Sequence, residues 1–172
     1  MVANGWDNQL SNELTLDAAL QSRWRYMPIG NREKFGLELI PHAGAHLGTA
    51  QTYAEAGAEV RVGWRMADDF GSCQMRDDCI PDQTFDSVAP FGAHLFTGVN
   101  ARAVLRNIFL DGNTFRASHS VDKEPFVGDV SAGFAIQYRS FRTTYAYVYQ
   151  SKEYKKQTYN QTFGTLYFSW EF

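Results

Sequence analysis

The feature that most constrains this chain lies at its end, where apolar and polar residues alternate to the last position. Leu166, Phe168, Trp170 and Phe172 are apolar, with Thr165, Tyr167, Ser169 and Glu171 between them. A period of two puts these sets on opposite faces of a β-strand. Terminal residues of soluble domains tend to fray. An aromatic face carried to the C-terminus instead fits a strand with lipid on one side and a polar interior on the other. No apolar run approaches the roughly 20 residues of a transmembrane helix. The mean hydropathy is negative, but a barrel escapes that average because only alternate residues meet lipid. The 172 residues fit one domain, and a net charge of -3 makes no electrostatic case for nucleic acid.

The same alternation predicts about seven strands, each long enough to cross a bilayer when tilted. The first runs from about Glu13 to Met27, with Leu14, Leu16, Ala18, Leu20, Trp24 and Tyr26 opposite Asp17, Gln21, Arg23 and Arg25. The second covers about Lys34 to Leu47, the third Ala50 to Arg65, the fourth Phe91 to Asn107 and the fifth Val127 to Arg139. The sixth, about Arg142 to Lys152, carries Tyr145, Tyr147 and Tyr149 on one face, and the terminal strand is the seventh. Ala54–Ala58 has helix-forming residues, but Gly57, Gly63 and the alternating Glu55, Glu59 and Arg61 favour a strand.

The polar faces are heavily charged: Asp17, Arg23, Arg25, Glu38, Glu55, Glu59, Arg61, Arg65, Arg102, Arg106, Asp129, Arg139 and Glu171. Mixed signs predict an ion-paired filling of a narrow lumen rather than a selectivity ring. His42 and His46 share that face, where hydrogen-bonded histidines compete with a shared metal. Tight turns are expected at Met27–Lys34 and Arg139–Arg142. Long loops are expected at Ile108–Phe126 and Glu153–Asn160, at the opposite end. Met66–Pro90, on the turn side, holds Cys73 and Cys79, a candidate local disulfide in an oxidising compartment, with two free thiols as the alternative.

Seven is odd, whereas single-chain bacterial barrels have an even strand count. An open sheet would leave two edges with unsatisfied hydrogen bonds in lipid. The expectation is therefore that residues 1–172 form the C-terminal portion of a larger barrel domain. The opening Met1-Val2-Ala3-Asn4-Gly5-Trp6 has neither the basic n-region nor the apolar h-region of a signal peptide, so the expectation is either that an export signal has been removed or that Met1 is not the true start.

Several segments carry more than pattern: Gly5-Trp6-Asp7-Asn8-Gln9-Leu10, Ile40-Pro41-His42, Asp68-Asp69-Phe70-Gly71, and the loop from Asn107 through Asp111-Gly112-Asn113-Thr114-Phe115-Arg116 and Ser118-His119-Ser120 to Pro125-Phe126-Val127-Gly128-Asp129. Together they resemble the lipid A 3'-O-deacylase family of Gram-negative outer membranes, across essentially the whole chain. The resemblance implies an all-β, antiparallel transmembrane barrel of about 12 strands, of which this chain supplies about seven C-terminal ones. It implies a calcium-dependent hydrolase that removes the 3'-linked acyloxyacyl chain of lipid A, with lipopolysaccharide and outer-membrane lipids as partners. The family's catalytic histidine and metal-serving Asn-Asp pair would precede Met1, so no catalytic residue or metal ligand is assigned here. The alternative is a non-catalytic or truncated barrel scaffold.

Trp6, Asp7, Arg116, His119 and Lys123 are the candidate substrate-binding residues. Trp6 and Asp7 lie near where the family's histidine would sit. Arg116 and Lys123, like Lys152, Lys155 and Lys156, would reach the outer rim, where lysine or arginine can hold lipid A phosphates. His119 has Asp111, Asp122 and Lys123 as loop neighbours but no nucleophile with a fixed third partner, so a rim role is expected over a base. Asp111-Gly112-Asn113 resembles part of a calcium loop, yet its residue types favour a turn.

Overall fold

The computed structural model describes residues 10–31, 33–71 and 90–170. They form one antiparallel sheet of eight strands: β1 Asp17–Arg23, β2 Tyr26–Gly30, β3 Phe35–Gly48, β4 Gln51–Trp64, β5 Phe91–Asn107, β6 Phe126–Tyr138, β7 Phe141–Gln150 and β8 Gln161–Trp170. A single helical turn, α1 (Ile108–Asp111), follows β5. Neighbours run in the order β1-β3-β4-β5-β6-β7-β8, with β2 also on β3. The sheet is open: among the described residues β1 and β8 do not pair with each other.

Eight strands occupy seven positions because the first predicted strand is broken. Arg23 pairs with His42 and Tyr26 with Leu39, so the register continues across the break. Pro41 sits opposite the gap and accepts from Trp24 N through its carbonyl at 2.9 Å. Having no N–H, it cannot return the second bond of the ladder. A further register shift falls between Tyr26 and Ile29, around Pro28.

The two faces match the predicted alternation. Inward positions of β3, β4 and β5 include Glu38, Ile40, Tyr53, Glu59, Arg61, His94 and Phe96, all buried. Outward positions such as Leu95, Val99, Val130, Tyr147, Leu166 and Phe168 are exposed. Inside, glycines make room for rings: a Cβ on Gly57 would stand 2.7 Å from the His42 ring, and one on Gly133 would stand 2.5 Å from Phe96.

An aromatic girdle closes the outward face at the turn end. Phe35 pairs with Trp64, Phe91 with Tyr138, Tyr138 with Phe141, and Phe141 with Trp170. Trp64 packs on Phe91 at 6.2 Å between centroids, and Phe141 on Phe168 at 6.0 Å. Such a row at one level marks a membrane–water boundary.

Two assignments need correction. Arg65 and Arg139 belong to the inner face by alternation, yet their guanidinium groups lie over the outward rings of Trp64 and Tyr138. Both residues stand just past a strand end with left-handed backbones, φ 49° and 53°, and that conformation ends the alternation. Glu171 and Phe172 lie outside the described residues.

Candidate functional site

At one end of the sheet lie the β3–β4 hairpin, the long β5–β6 loop, the β7–β8 loop and the segment leading into β1. The last of these is clamped to the long loop. Thr114 N donates to both carboxylate oxygens of Glu13 at 3.0 Å, and Phe115 N donates to Oε2 at 3.3 Å. Asn113 Nδ2 donates to Glu13 Oε2 and to the Ser11 carbonyl, both at 2.9 Å, while its Oδ1 accepts from Ser11 N at 3.0 Å. Hydrogen bonding, first from Thr114 and also from Asn113 and Phe115, outweighs desolvation and holds Glu13 well below the usual carboxylate range, at about 2. Arg106 ties the same loop to the hairpin, donating to the Thr49 carbonyl (3.0 Å), the Gly112 carbonyl (3.1 Å) and Thr114 Oγ1 (2.7 Å).

The root of the loop is a turn. Asn107 caps α1 through Phe109 N at 3.0 Å, Gly112 takes φ +83°, and Gly112 N donates to the Ile108 carbonyl. Asp111 accepts from Asn107 N at 2.8 Å and from Lys123 Nζ at 2.7 and 2.6 Å. A bridge between Lys123 and Tyr154, with Lys155 N donating to the Asp122 carbonyl at 2.9 Å, joins the two long loops. Beneath them a small cleft is lined by Tyr53, Arg102, Asn107, Leu110, Glu124 and Glu153.

Of the candidate substrate-binding residues, Arg116 and His119 are exposed on this rim. Lys123 is half-buried and committed to Asp111, so it staples the loop and would meet a phosphate only by sharing that bond. Lys152, Lys155 and Lys156 are exposed on the neighbouring loop. Trp6, Asp7, Cys73 and Cys79 lie outside the described residues.

The interior is organised around one carboxylate at the opposite end. Past β4, Met66 and Ala67 turn inward and are buried, and Asp69 follows. Its carboxylate pairs with Arg61 from β4 and with Arg142 from β7, while its carbonyl accepts from Arg25 at 2.8 Å. Arg61 also donates to Glu38 at 2.6 Å, and Arg25 pairs with Asp68 at 2.6 Å. On a flat sheet β1 and β7 would lie five strand spacings apart, roughly 24 Å. One residue touching both flanks therefore requires the sheet to curl around it. Burial alone would raise the Asp69 pKa, but the Arg61 and Arg142 guanidinium groups win and lower it to about 2.

The two inward histidines take separate partners. His42 Nε2 lies 2.9 Å from Asn100 Oδ1, while His46 packs edge-on against Tyr53 at 5.1 Å. Among the described residues no three His, Cys, Asp or Glu side chains stand together as a metal set. At the rim, Glu13, Asp17 and Asp111 are each engaged by separate donors. These carboxylates do not fit a calcium site. Sequence reasoning missed the Glu13 clamp, the Asp69 hub and Arg142. The one available signal was Asp68-Asp69-Phe70-Gly71 directly after a strand.

The family model for the outer membrane protein LpxR matches residues 2–172. The chain belongs to the LpxR family of outer membrane proteins. No curated protein matches it significantly. Among solved structures it is similar to LpxR from Salmonella typhimurium, with a TM-score of 0.76 and 18% identity, covering 97% of this chain and 55% of that one. At that identity the likeness speaks for the fold, and the chain spans about half the length of that LpxR. Family and fold agree with the lipid-facing surface and polar interior derived above.

Proposed function

We propose that this chain forms wall and loop-bearing rim of an outer-membrane barrel that hydrolyses the 3'-linked acyloxyacyl chain of lipid A. The observation that carries this is the LpxR family match across residues 2–172. In this proposal residues 1–172 are the C-terminal portion of a single barrel domain, and the open edges at β1 and β8 pair with N-terminal strands of the complete barrel. Arg116 and Lys123, with Trp6 and Asp7, contact the lipid A headgroup, and His119 lines the rim. The catalytic base and the calcium ligands come from the complementary strands, because the described carboxylates are separately engaged and form no metal set.

A non-catalytic or truncated scaffold is the second reading, in which the exposed His119 and the separately engaged rim carboxylates have no catalytic partners in the complete barrel either. Incubating the purified chain with lipid A and calcium and following fatty-acid release by mass spectrometry tests the first. No release is expected from the chain alone, and release is expected once complementary strands of the family are co-refolded with it. Release by the chain alone overturns the division of labour, and none from the complemented barrel favours the scaffold.

A further inference from the structure

Arg65 and Arg139 are the described non-glycine residues with left-handed backbones. Arg139 opens the two-residue turn between Tyr138 and Phe141, a position that Gly, Asn or Asp normally fills. An arginine side chain adds nothing to such a turn, so the turn does not account for the residue type. The same device occurs twice. Each arginine follows a girdle aromatic and lies over its ring, with Cζ 4.6 Å from the Trp64 centroid and 5.4 Å from that of Tyr138. Among the described residues no carboxylate pairs with either guanidinium.

Both arginines flank the start of β5. Arg139 N donates to the Pro90 carbonyl at 2.7 Å, and the Arg65 carbonyl packs against Gly92, where a Cβ would come within 2.0 Å. β4 and β6 are the two neighbours of β5, so the arginines root about two strand spacings apart, on the order of 10 Å. Two arginine side chains can converge across that span on one anion. Below them the outward face presents Leu95, Phe134 and Ile136. Paired cations at a membrane–water boundary above an apolar wall match a ligand with a phosphate head and alkyl tails.

We propose that Arg65 and Arg139 hold the headgroup phosphate of a glycerophospholipid whose acyl chains lie along β5 and β6. Glycerophospholipid and lipid A both offer phosphate, but this site lies at the end that carries the β4–β5 connection, opposite the β5–β6 and β7–β8 loops. In outer-membrane barrels that end is periplasmic. The inference rests on the outward face meeting lipid and is independent of any hydrolytic activity.

The test is native mass spectrometry of the full chain extracted from bacterial outer membranes, comparing the parent with Arg65→Gly/Arg139→Gly. Glycine relieves both left-handed backbones, so this variant is expected to fold at least as well, judged by heat-modifiable mobility on gels. Retained glycerophospholipid should fall about tenfold, roughly the weight of one charge-assisted hydrogen bond. Arg65→Lys/Arg139→Lys, which keeps charge but not the fork, should fall between. Equal retention of glycerophospholipid by parent and glycine variant overturns the proposal, as does a parent whose only retained lipid is lipid A, or one that retains none. Arg65→Gln/Arg139→Gln supplies the same comparison should the glycine variant misfold.

Discussion

At the residue scale the molecule depends on a few carboxylates and guanidinium groups whose partners are far away in sequence. Arg61 is fully buried between Glu38 and Asp69, both buried themselves. Removing the cation takes a buried partner from both Glu38 and Asp69, with Arg142 still paired to Asp69, whereas a hydrophobic replacement of a whole network would cost far less. Arg61→Met should therefore destabilise the barrel by about 3–5 kcal/mol in urea unfolding from lipid vesicles. Arg61→Lys should recover only part of this, because ammonium lacks the planar fork that reaches two partners. Glu13 gives a pH-dependent counterpart. Its pKa is depressed from 4.5 to about 2, so its contribution is fully present above 4.5 and is lost as pH falls through about 2. The melting-temperature difference between parent and Glu13→Gln should be constant near neutrality and shrink below about pH 4.5. A difference that does not change with pH would show that the carboxylate charge does not hold the loop.

At the element scale the strands are alternation made physical, and a small residue on the inner face is as specific as a large one. Gly57 lies against the His42 ring, which in turn bonds Asn100. Gly57→Ala should displace that ring, press on the Val99 carbonyl of β5 and destabilise by about 1–3 kcal/mol, with loss of the His42–Asn100 coupling visible in imidazole NMR shifts. Much of this level was legible in sequence. The inner and outer sets of β3 to β8 follow from period two alone, because a one-residue slip would turn every charge toward lipid. The rest was hidden for identifiable reasons. The break before Tyr26 is set by Pro41 on the adjoining strand, and a proline's effect on a neighbour requires knowing the register. Asp69 gathers Arg25 from the break between β1 and β2, Arg61 from β4 and Arg142 from β7, a convergence that only the curl of the sheet creates. Glu13 meets Thr114 across 101 positions of sequence, with no local pattern to announce it.

At the scale of the whole molecule the two faces divide the labour. The outer face is an apolar band ending in a row of aromatics, and the inner face is a polar filling whose ion pairs gather around a segment folded in from the turn end. The rim carries the loops that, in the proposed function, face lipid A. That assignment of solvent to faces is the central claim, and spin-label accessibility along β7 in lipid vesicles tests it most directly. Single labels at successive positions from Arg142 to Tyr149 should alternate. Collisions with dissolved oxygen should be high at Thr143, Tyr145, Tyr147 and Tyr149, and low at Arg142, Thr144, Ala146 and Val148. Accessibility without a period of two, or with the opposite phase, would contradict it.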